Sequence, residues 1–181
     1  YLATACGIVI AAFSARRAAE VVGLQVDCLD RDELGKPWLK CFIHKTLQRH
    51  AIVPVPEVVA SAVAVLARLS ARARAITATN YLFQFNAPGT HLVRGMSRDG
   101  VPTFPLGAFT REFGYFVDVP PLADGTRWTF HPHQFRRFFA VLYVWCYELA
   151  DWGALAYHLR HFNLEMTRRY VTDAELGGIL H

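Results

Sequence analysis

The sequence predicts an α+β fold that is mostly helical, with a small three-stranded antiparallel sheet near the N-terminal side. Apolar residues recur at helical spacing over most of the chain, whereas the alternation typical of strands is confined to residues 26–54. The length of 181 residues, of which 53% are apolar, is enough to bury one substantial core. We therefore expect residues 1–181 to form a single domain.

The first third of the chain is expected to contain two helices followed by the sheet. Residues 2–13 form an apolar run that predicts a buried helix, and residues 16–24 predict a second, short one. Three strands are predicted at residues 26–29, 38–45 and 50–54, where β-branched and aromatic residues alternate with polar ones. The second and third strands are close enough in sequence to form a hairpin.

The rest of the chain is predicted to be helical apart from one long loop. Pro56 marks the start of a helix that continues to about Ala75, because Val, Ala and Leu recur at helical spacing after it. Residues 80–101 are rich in Gly, Asn and Pro and predict a loop. Further helices are expected at residues 106–119, 131–149, 154–161 and 164–171, with Asn163 as the N-cap of the last.

The composition favours a basic protein without a membrane segment. The net charge is +4 and almost all of the cations are Arg, whose planar fork suits phosphate oxygens, although basic character alone is weak support for nucleic-acid binding. The four cysteines lack metal-ligand spacing and are expected to be reduced core thiols of a cytoplasmic protein. The most apolar stretches are too short, or too interrupted by acidic residues, to span a bilayer, and no signal-peptide pattern is visible.

The last quarter of the chain carries residue types that metal-free phosphodiester cleavage requires. Tyr170 is the candidate nucleophile, and because the ordinary pKa of a tyrosine is about 10, cations and a base must assist it. His161 lies nine residues before Tyr170, and Thr167 lies three before it. Tyr147 and Tyr157 lack such neighbours and are assigned to the core. No carboxylate cluster suited to magnesium is visible, so we expect neither a metal nor another cofactor.

Two further candidates, His133 and Arg136, are three residues apart. On a helix they share one face and are able to converge on one phosphate. Arg137 is four residues after His133 and satisfies the same geometry, so spacing alone leaves open which arginine takes part.

The upstream part of the chain supplies two more cations. Arg17 lies three residues before Glu20 and Arg16 lies four before it, so helical geometry allows either arginine to pair with this acid. Lys45 ends the second predicted strand, close to the tip of the hairpin. The alternatives near the same hairpin are Lys36 and Lys40.

Taken in order, these groups resemble the motifs of the tyrosine recombinase catalytic domain (phage integrase family). The matching stretches are Arg17 with Glu20, Lys45 ahead of Ile52-Val53-Pro54, His133-Gln134-Phe135-Arg136, Leu159-Arg160-His161, and Thr167 with Tyr170. The resemblance selects Arg17 and Arg136 over their neighbours. The sequence departs from the family pattern at Ala15-Arg16, which replaces the usual Gly-Leu, and at Arg137, where a second His is most common.

The resemblance implies a tyrosine-recombinase-like catalytic fold and a site-specific DNA recombinase or integrase. Arg17, Arg136 and His161 would then hold the scissile phosphate, His133 would assist proton removal from Tyr170, and Lys45 would protonate the leaving 5′ oxygen. Cleavage would pass through a 3′-phosphotyrosine, independently of metal and ATP. The alternatives are a type IB topoisomerase-like DNA-relaxing enzyme and a catalytically inactive DNA-binding relative.

The resemblance also implies partners and context. The expected partner is double-stranded DNA, bound by a homo-tetramer that is weakly associated or monomeric without DNA. The family's N-terminal DNA-clamping domain has no counterpart in this sequence, which begins within a predicted helix, so we expect that sequence upstream is missing. The expected location is a prokaryotic cytoplasm, at the nucleoid when the protein is bound.

Overall fold

A computed structural model describes residues 1–45, 47–146, 150–160 and 164–172 of the chain. Its helices are α1 (Leu2–Ser14), α2 (Ala18–Val22), α3 (Glu57–Thr77), α4 (Leu106–Phe116), α5 (Pro132–Cys146), α6 (Trp152–Leu159) and α7 (Leu164–Thr172). Its strands are β1 (Leu29–Arg31), β2 (Pro37–Ile43), β3 (Arg49–Pro54), β4 (Phe85–Asn86) and β5 (Val93–Arg94). The mostly helical α+β fold predicted from the sequence is confirmed.

The three-stranded antiparallel sheet has the order β1-β2-β3, with β2 in the centre. In β2, Leu39, Cys41 and Ile43 are buried, whereas the residues between them face outward, so one face of the sheet lies on the core. The β2–β3 hairpin is paired from Trp38 opposite Pro54 to Ile43 opposite Arg49. The predicted hairpin is therefore confirmed, with a turn that carries Lys45.

The first strand differs from its predicted position. Strand β1 covers Leu29–Arg31 instead of residues 26–29. The reason is that the backbone N–H of Val26 donates to the carbonyl of Asn80 at 2.9 Å, so this segment pairs with a distant loop before it reaches the sheet. The loop predicted at residues 80–101 also contains the short antiparallel pair β4–β5, which the sequence pattern did not indicate.

The main core lies between the sheet and the helices α1 and α3. It includes Ile10 of α1, Leu39 of β2 and Leu66 of α3, all fully buried. A second, smaller cluster joins the end of α1 to α5 and α6 through Ala15, Ala140, Leu155 and Leu159, and Val171 of α7 packs against it. This second cluster places α5, α6 and α7 around the end of α1.

The helix boundaries of the second half agree with prediction to within a few residues. Helix α6 begins two residues before its predicted start, because the Asp151 side chain caps it by accepting from the backbone N–H groups of Gly153 and Ala154 at 2.7 and 3.1 Å. Helix α7 covers the predicted segment at residues 164–171, and its proposed N-cap, Asn163, lies outside the described residues.

The cysteines follow the prediction in part. Cys6, Cys28 and Cys41 are free, buried thiols, but Cys146 at the end of α5 is exposed, so its assignment to the core is wrong. Across the part of the chain that the structure describes, no helix is both long enough and apolar enough to cross a bilayer.

A glycine directly after β5 offers a test of the described backbone conformation. Gly95 has φ +90°, and a Cβ there would lie 2.2 Å from the carbonyl oxygen of Phe83. We expect G95A to lower the free energy of unfolding by more than about 2 kcal/mol, since backbone strain and a backbone clash add. In the control G35A, φ is +73° and the Cβ has open space, so only strain of about 1 kcal/mol is expected. Urea denaturation measures both, and equal losses would contradict the described backbone.

Candidate active site

The candidate site is built where α1 ends. Ala15 follows α1 in the left-handed conformation, with φ 56° and ψ 28°, and turns the chain towards α2. The two arginines after it lie at different depths, because Arg16 is fully buried whereas 24% of the Arg17 side chain is exposed. The chain therefore presents one cation to the interior and the next one to the surface.

Glu20 forms its ion pair with Arg17, one of the two partners that helical spacing allows. Arg17 Nη1 lies 3.0 Å from Glu20 Oε1, and the backbone N–H of Arg17 donates to Oε2 at 3.0 Å. Arg17 is the N-cap of α2, so the two residues form a capping box. Because the Glu20 side chain is almost completely buried, it holds the Arg17 guanidinium in one orientation.

Arg16 instead joins the end of α1 to the end of α6. Its Nε donates to the carbonyl of Ser14 at 3.0 Å, and its Nη2 donates to the carbonyl of His158. The His158 ring donates from Nε2 to the same Ser14 carbonyl at 3.0 Å and stacks on Phe139 with centroids 4.6 Å apart. Burial, and then the charge of Arg16, lower the pKa of His158 to about 4. His158 is therefore neutral at pH 7.

Arg136 also joins the end of α1 to the end of α6, through the carbonyls that directly follow those bound by Arg16. Its guanidinium is buried, with Nη1 donating to the carbonyl of Ala15 at 2.5 Å and Nη2 donating to the carbonyl of Leu159. Arg136 lies on α5, so this single side chain links three helices. The two accepting carbonyls belong to the residues two positions before Arg17 and two positions before His161.

His133 lies one turn before Arg136 on α5, with part of its surface exposed to solvent. Partial burial of its imidazole lowers its pKa, and the positive charges of Arg136, Arg137, Arg17 and Lys45 lower it further. These charges come from the end of α1, the hairpin turn and α5. The structure thus places three of the predicted residues, Arg17, Lys45 and Arg136, within electrostatic range of His133, and Arg137 with them.

Lys45 is the hairpin lysine whose positive charge contributes to the lowered pKa of His133. It is exposed in the turn between β2 and β3. Of the two alternatives, Lys40 pairs with Asp27 at 3.5 Å, and Lys36 lies before β2 at the opposite end of that strand.

The last two predicted residues are described only in part. His161 lies outside the described residues. Tyr170 is in α7, which packs against α5 and α6, but its side chain lies outside the described part. In residues 1–45, 47–146, 150–160 and 164–172, no group of three or more His, Cys, Asp or Glu side chains is placed to hold a metal ion. The metal-free site stays a prediction.

Sequence reasoning missed several contributors. Tyr157, assigned to the core, is 69% exposed, so that assignment is wrong. Arg16 and His158 form the junction between α1 and α6 but are 142 residues apart in sequence, beyond the reach of any local pattern. In the sequence, the departure from the family pattern at Arg16 was the one feature that could have drawn attention to this junction. Arg160 adopts the left-handed conformation at the end of α6, and nothing in its local sequence indicates this.

The junction should make stability depend on pH. The folded chain binds a proton on His158 less readily than the unfolded chain, because the pKa is about 4 instead of 6.5. The free energy of unfolding should therefore fall as the pH is lowered from 6.5 towards 4, by up to about 3 kcal/mol. Urea denaturation at pH 7 and at pH 5 should show about 2 kcal/mol of this loss, and H158F, which keeps the stacking on Phe139, should show a smaller one. If H158F kept the pH dependence of the parent, His158 would not be the group responsible for it.

The charges around His133 are open to a direct test. We expect K45M to raise the pKa of His133, because one of the positive charges that oppose its protonation is removed. The control K36M removes a lysine from the other end of β2 and should leave it unchanged. Histidine titration by NMR measures the pKa of His133 in both variants. Equal values for K45M and the parent would contradict the placement of Lys45 near His133.

Comparison with solved structures identifies the fold. XerH site-specific recombinase, in a post-cleavage complex with palindromic difH substrate, matches with a TM-score of 0.61 and 18% identity over 97% of this chain and 44% of that chain. The Tn1549 transposon integrase, in complex with circular intermediate DNA, matches with a TM-score of 0.55 and 18% identity over 99% and 56%. The chain spans about half the length of these proteins. Neither a protein-family model nor a curated protein sequence matches it. At this identity the similarity concerns the fold: the chain has the fold of the tyrosine recombinase catalytic domain.

Proposed function

We propose that the chain is the catalytic part of a site-specific DNA recombinase or integrase. The observation that carries the proposal is the convergence of Arg17, Lys45 and Arg136 on His133, from three separate parts of the chain. A cluster of cations is destabilising unless an anion binds among them. The structural neighbours are recombinase and integrase complexes with DNA, so the anion we propose is a phosphodiester.

The cations suit different tasks in the proposed reaction. Arg17 is partly exposed and is oriented by a buried carboxylate, so its guanidinium is prepared to hold a phosphoryl oxygen. Arg136 lies deeper, where its charge stabilises the phosphate while its hydrogen bonds hold the chain before Arg17 and before His161. His161 completes the phosphate site in this proposal. Lys45 is exposed in a turn and is the general acid.

The proposed cleavage begins at Tyr170. The phenol oxygen attacks the scissile phosphorus, its proton passes to His133, and the bond from phosphorus to the 5′ oxygen breaks. The lowered pKa of His133 favours the neutral imidazole at physiological pH, which is the form able to accept that proton. Lys45 then protonates the 5′ oxygen, so the products are a 3′-phosphotyrosine and a 5′ hydroxyl.

Rejoining follows as the reverse of cleavage. A 5′ hydroxyl from a partner strand attacks the phosphotyrosine and releases the phenol, so the phosphodiester bond is remade without ATP or a metal ion. The partner is double-stranded DNA, and the assembly that exchanges strands is a tetramer of the chain. Because this chain spans about half of its structural neighbours, we expect it alone to bind DNA weakly. Its cytoplasmic location at the nucleoid stays a prediction.

Covalent trapping tests the proposal. A library of nicked suicide duplexes with randomised sequence is mixed with the chain, and DNA that becomes covalently attached is recovered and sequenced. We expect an adduct with the parent and none with Y170F, since only the Tyr170 phenol forms the phosphotyrosine. The control Y115F removes the hydroxyl of another exposed tyrosine and should keep the adduct.

The outcomes separate the candidate functions. An adduct that persists in Y170F would refute Tyr170 as the nucleophile. The absence of any adduct with the parent would indicate an inactive DNA-binding relative. Relaxation of supercoiled plasmid without a preferred sequence would indicate a topoisomerase-like enzyme instead of a recombinase.

A further inference from the structure

A second cationic surface borders the candidate active site. A cavity of about 610 Å³ opens between the sheet and α6. The residues that line it are Asp30, Arg31, Asp32, Trp38, Leu47, Arg49, His50, Ala51, Ile52, Tyr157 and Arg160. None of these residues has a role in the proposed cleavage, yet three arginines and an exposed tyrosine meet there.

Arg160 is fixed in place at one end of this cavity. It ends α6 with φ 55° and ψ 44°, a conformation that costs about 1–2 kcal/mol for a residue other than glycine. Its Nη2 donates to the carbonyl of Ile52 at 3.0 Å, on the outer edge of β3, and its guanidinium lies 4.1 Å above the Tyr157 ring centroid. These two contacts hold the cation between the helix and the sheet.

Arg49 and Tyr157 face the same space. The pKa of Tyr157 is lowered first by its interaction with Arg160 and also by the charge of Arg49. The phenol is therefore close to both cations, and Tyr157 is 69% exposed. Within the described part of the chain, no carboxylate forms an ion pair with Arg49. Two guanidinium groups and one hydroxyl group thus lie near each other on the lining of this cavity.

The other end of the cavity is acidic, which limits where an anion is able to bind. Asp30 and Asp32 lie at β1, two strands away from β3, or roughly 10 Å at the usual spacing between strands. Arg31 pairs with Glu57 at 2.6 Å, so its charge is already neutralised. An anion is therefore favoured only between β3 and α6.

This position continues the candidate active site. Arg160 directly follows Leu159, whose carbonyl accepts from Arg136, and Leu47 lies two residues after Lys45. We propose that Arg49, Arg160 and Tyr157 form a second phosphate-binding site, which takes a phosphodiester of the DNA backbone beside the one that is cleaved. This inference rests on the proposed function, because it assigns the site to the same DNA strand. Its role is to position the strand, since the side chains have no part in the bond exchange.

The salt dependence of DNA binding tests the second site. The logarithm of the affinity for a duplex falls with the logarithm of salt concentration by about 0.9 for each phosphate that is neutralised. Binding of a fluorescent duplex is measured by anisotropy at several salt concentrations for the parent, R49Q and R31Q. We expect R49Q to reduce the slope by about 0.9 and R31Q to leave it unchanged. R31Q is the matched control, because it removes one positive charge from the same cavity.

Suicide-substrate trapping of the parent is carried out in parallel. A parent that binds DNA without forming an adduct, together with a smaller slope for R49Q alone, would refute the cleavage proposal and support the second site. Equal slopes for R49Q and R31Q, with an adduct present, would overturn the second site and leave the cleavage proposal standing. The absence of any DNA binding by the parent would overturn both.

Discussion

Two buried guanidinium groups hold the end of α1 against the end of α6, and the candidate active site is arranged around this junction. The last carbonyls of a helix have no partner within it and carry partial negative charge. Where two such ends meet, Arg16 and Arg136 donate to the carbonyls of both. Burying a charge costs several kcal/mol, and these hydrogen bonds offset that cost. The neutral ring of His158 adds a further contact without adding a charge.

The junction explains why the surface above it is cationic. The chain emerges from it at Arg17, and the segment that leads to His161 emerges beside it. Glu20 is a buried carboxylate that balances one of these charges. Partial burial, and then the charges of the surrounding cations, lower the pKa of His133, so a further proton is disfavoured there. Stability at the junction and the position of the surface cations therefore depend on the same helix ends.

The sheet contributes to the site through the β2–β3 turn and the outer edge of β3. Its buried face completes the main core, while the β2–β3 turn extends Lys45 towards α5 and the outer edge of β3 accepts the Arg160 side chain. An unpaired strand edge is a hazard in most proteins, and here a guanidinium satisfies part of it. The same contact fixes where the chain leaves α6. A small sheet thereby connects the hairpin lysine to the two segments that carry the other candidate residues.

Local pattern alone was sufficient for the helices and the hairpin, because each depends on residues only a few positions apart. For Glu20 it allowed either Arg16 or Arg17 as the partner, and the resemblance selected Arg17. Local pattern also indicated His133 and Arg136 on one helix face. The depth of Arg16 and the exposure of Tyr157 required the folded chain. Both depend on which distant elements pack against them, and the Arg16 contact joins residues 142 positions apart. Periodicity reports that a face is apolar, but only packing decides what covers it.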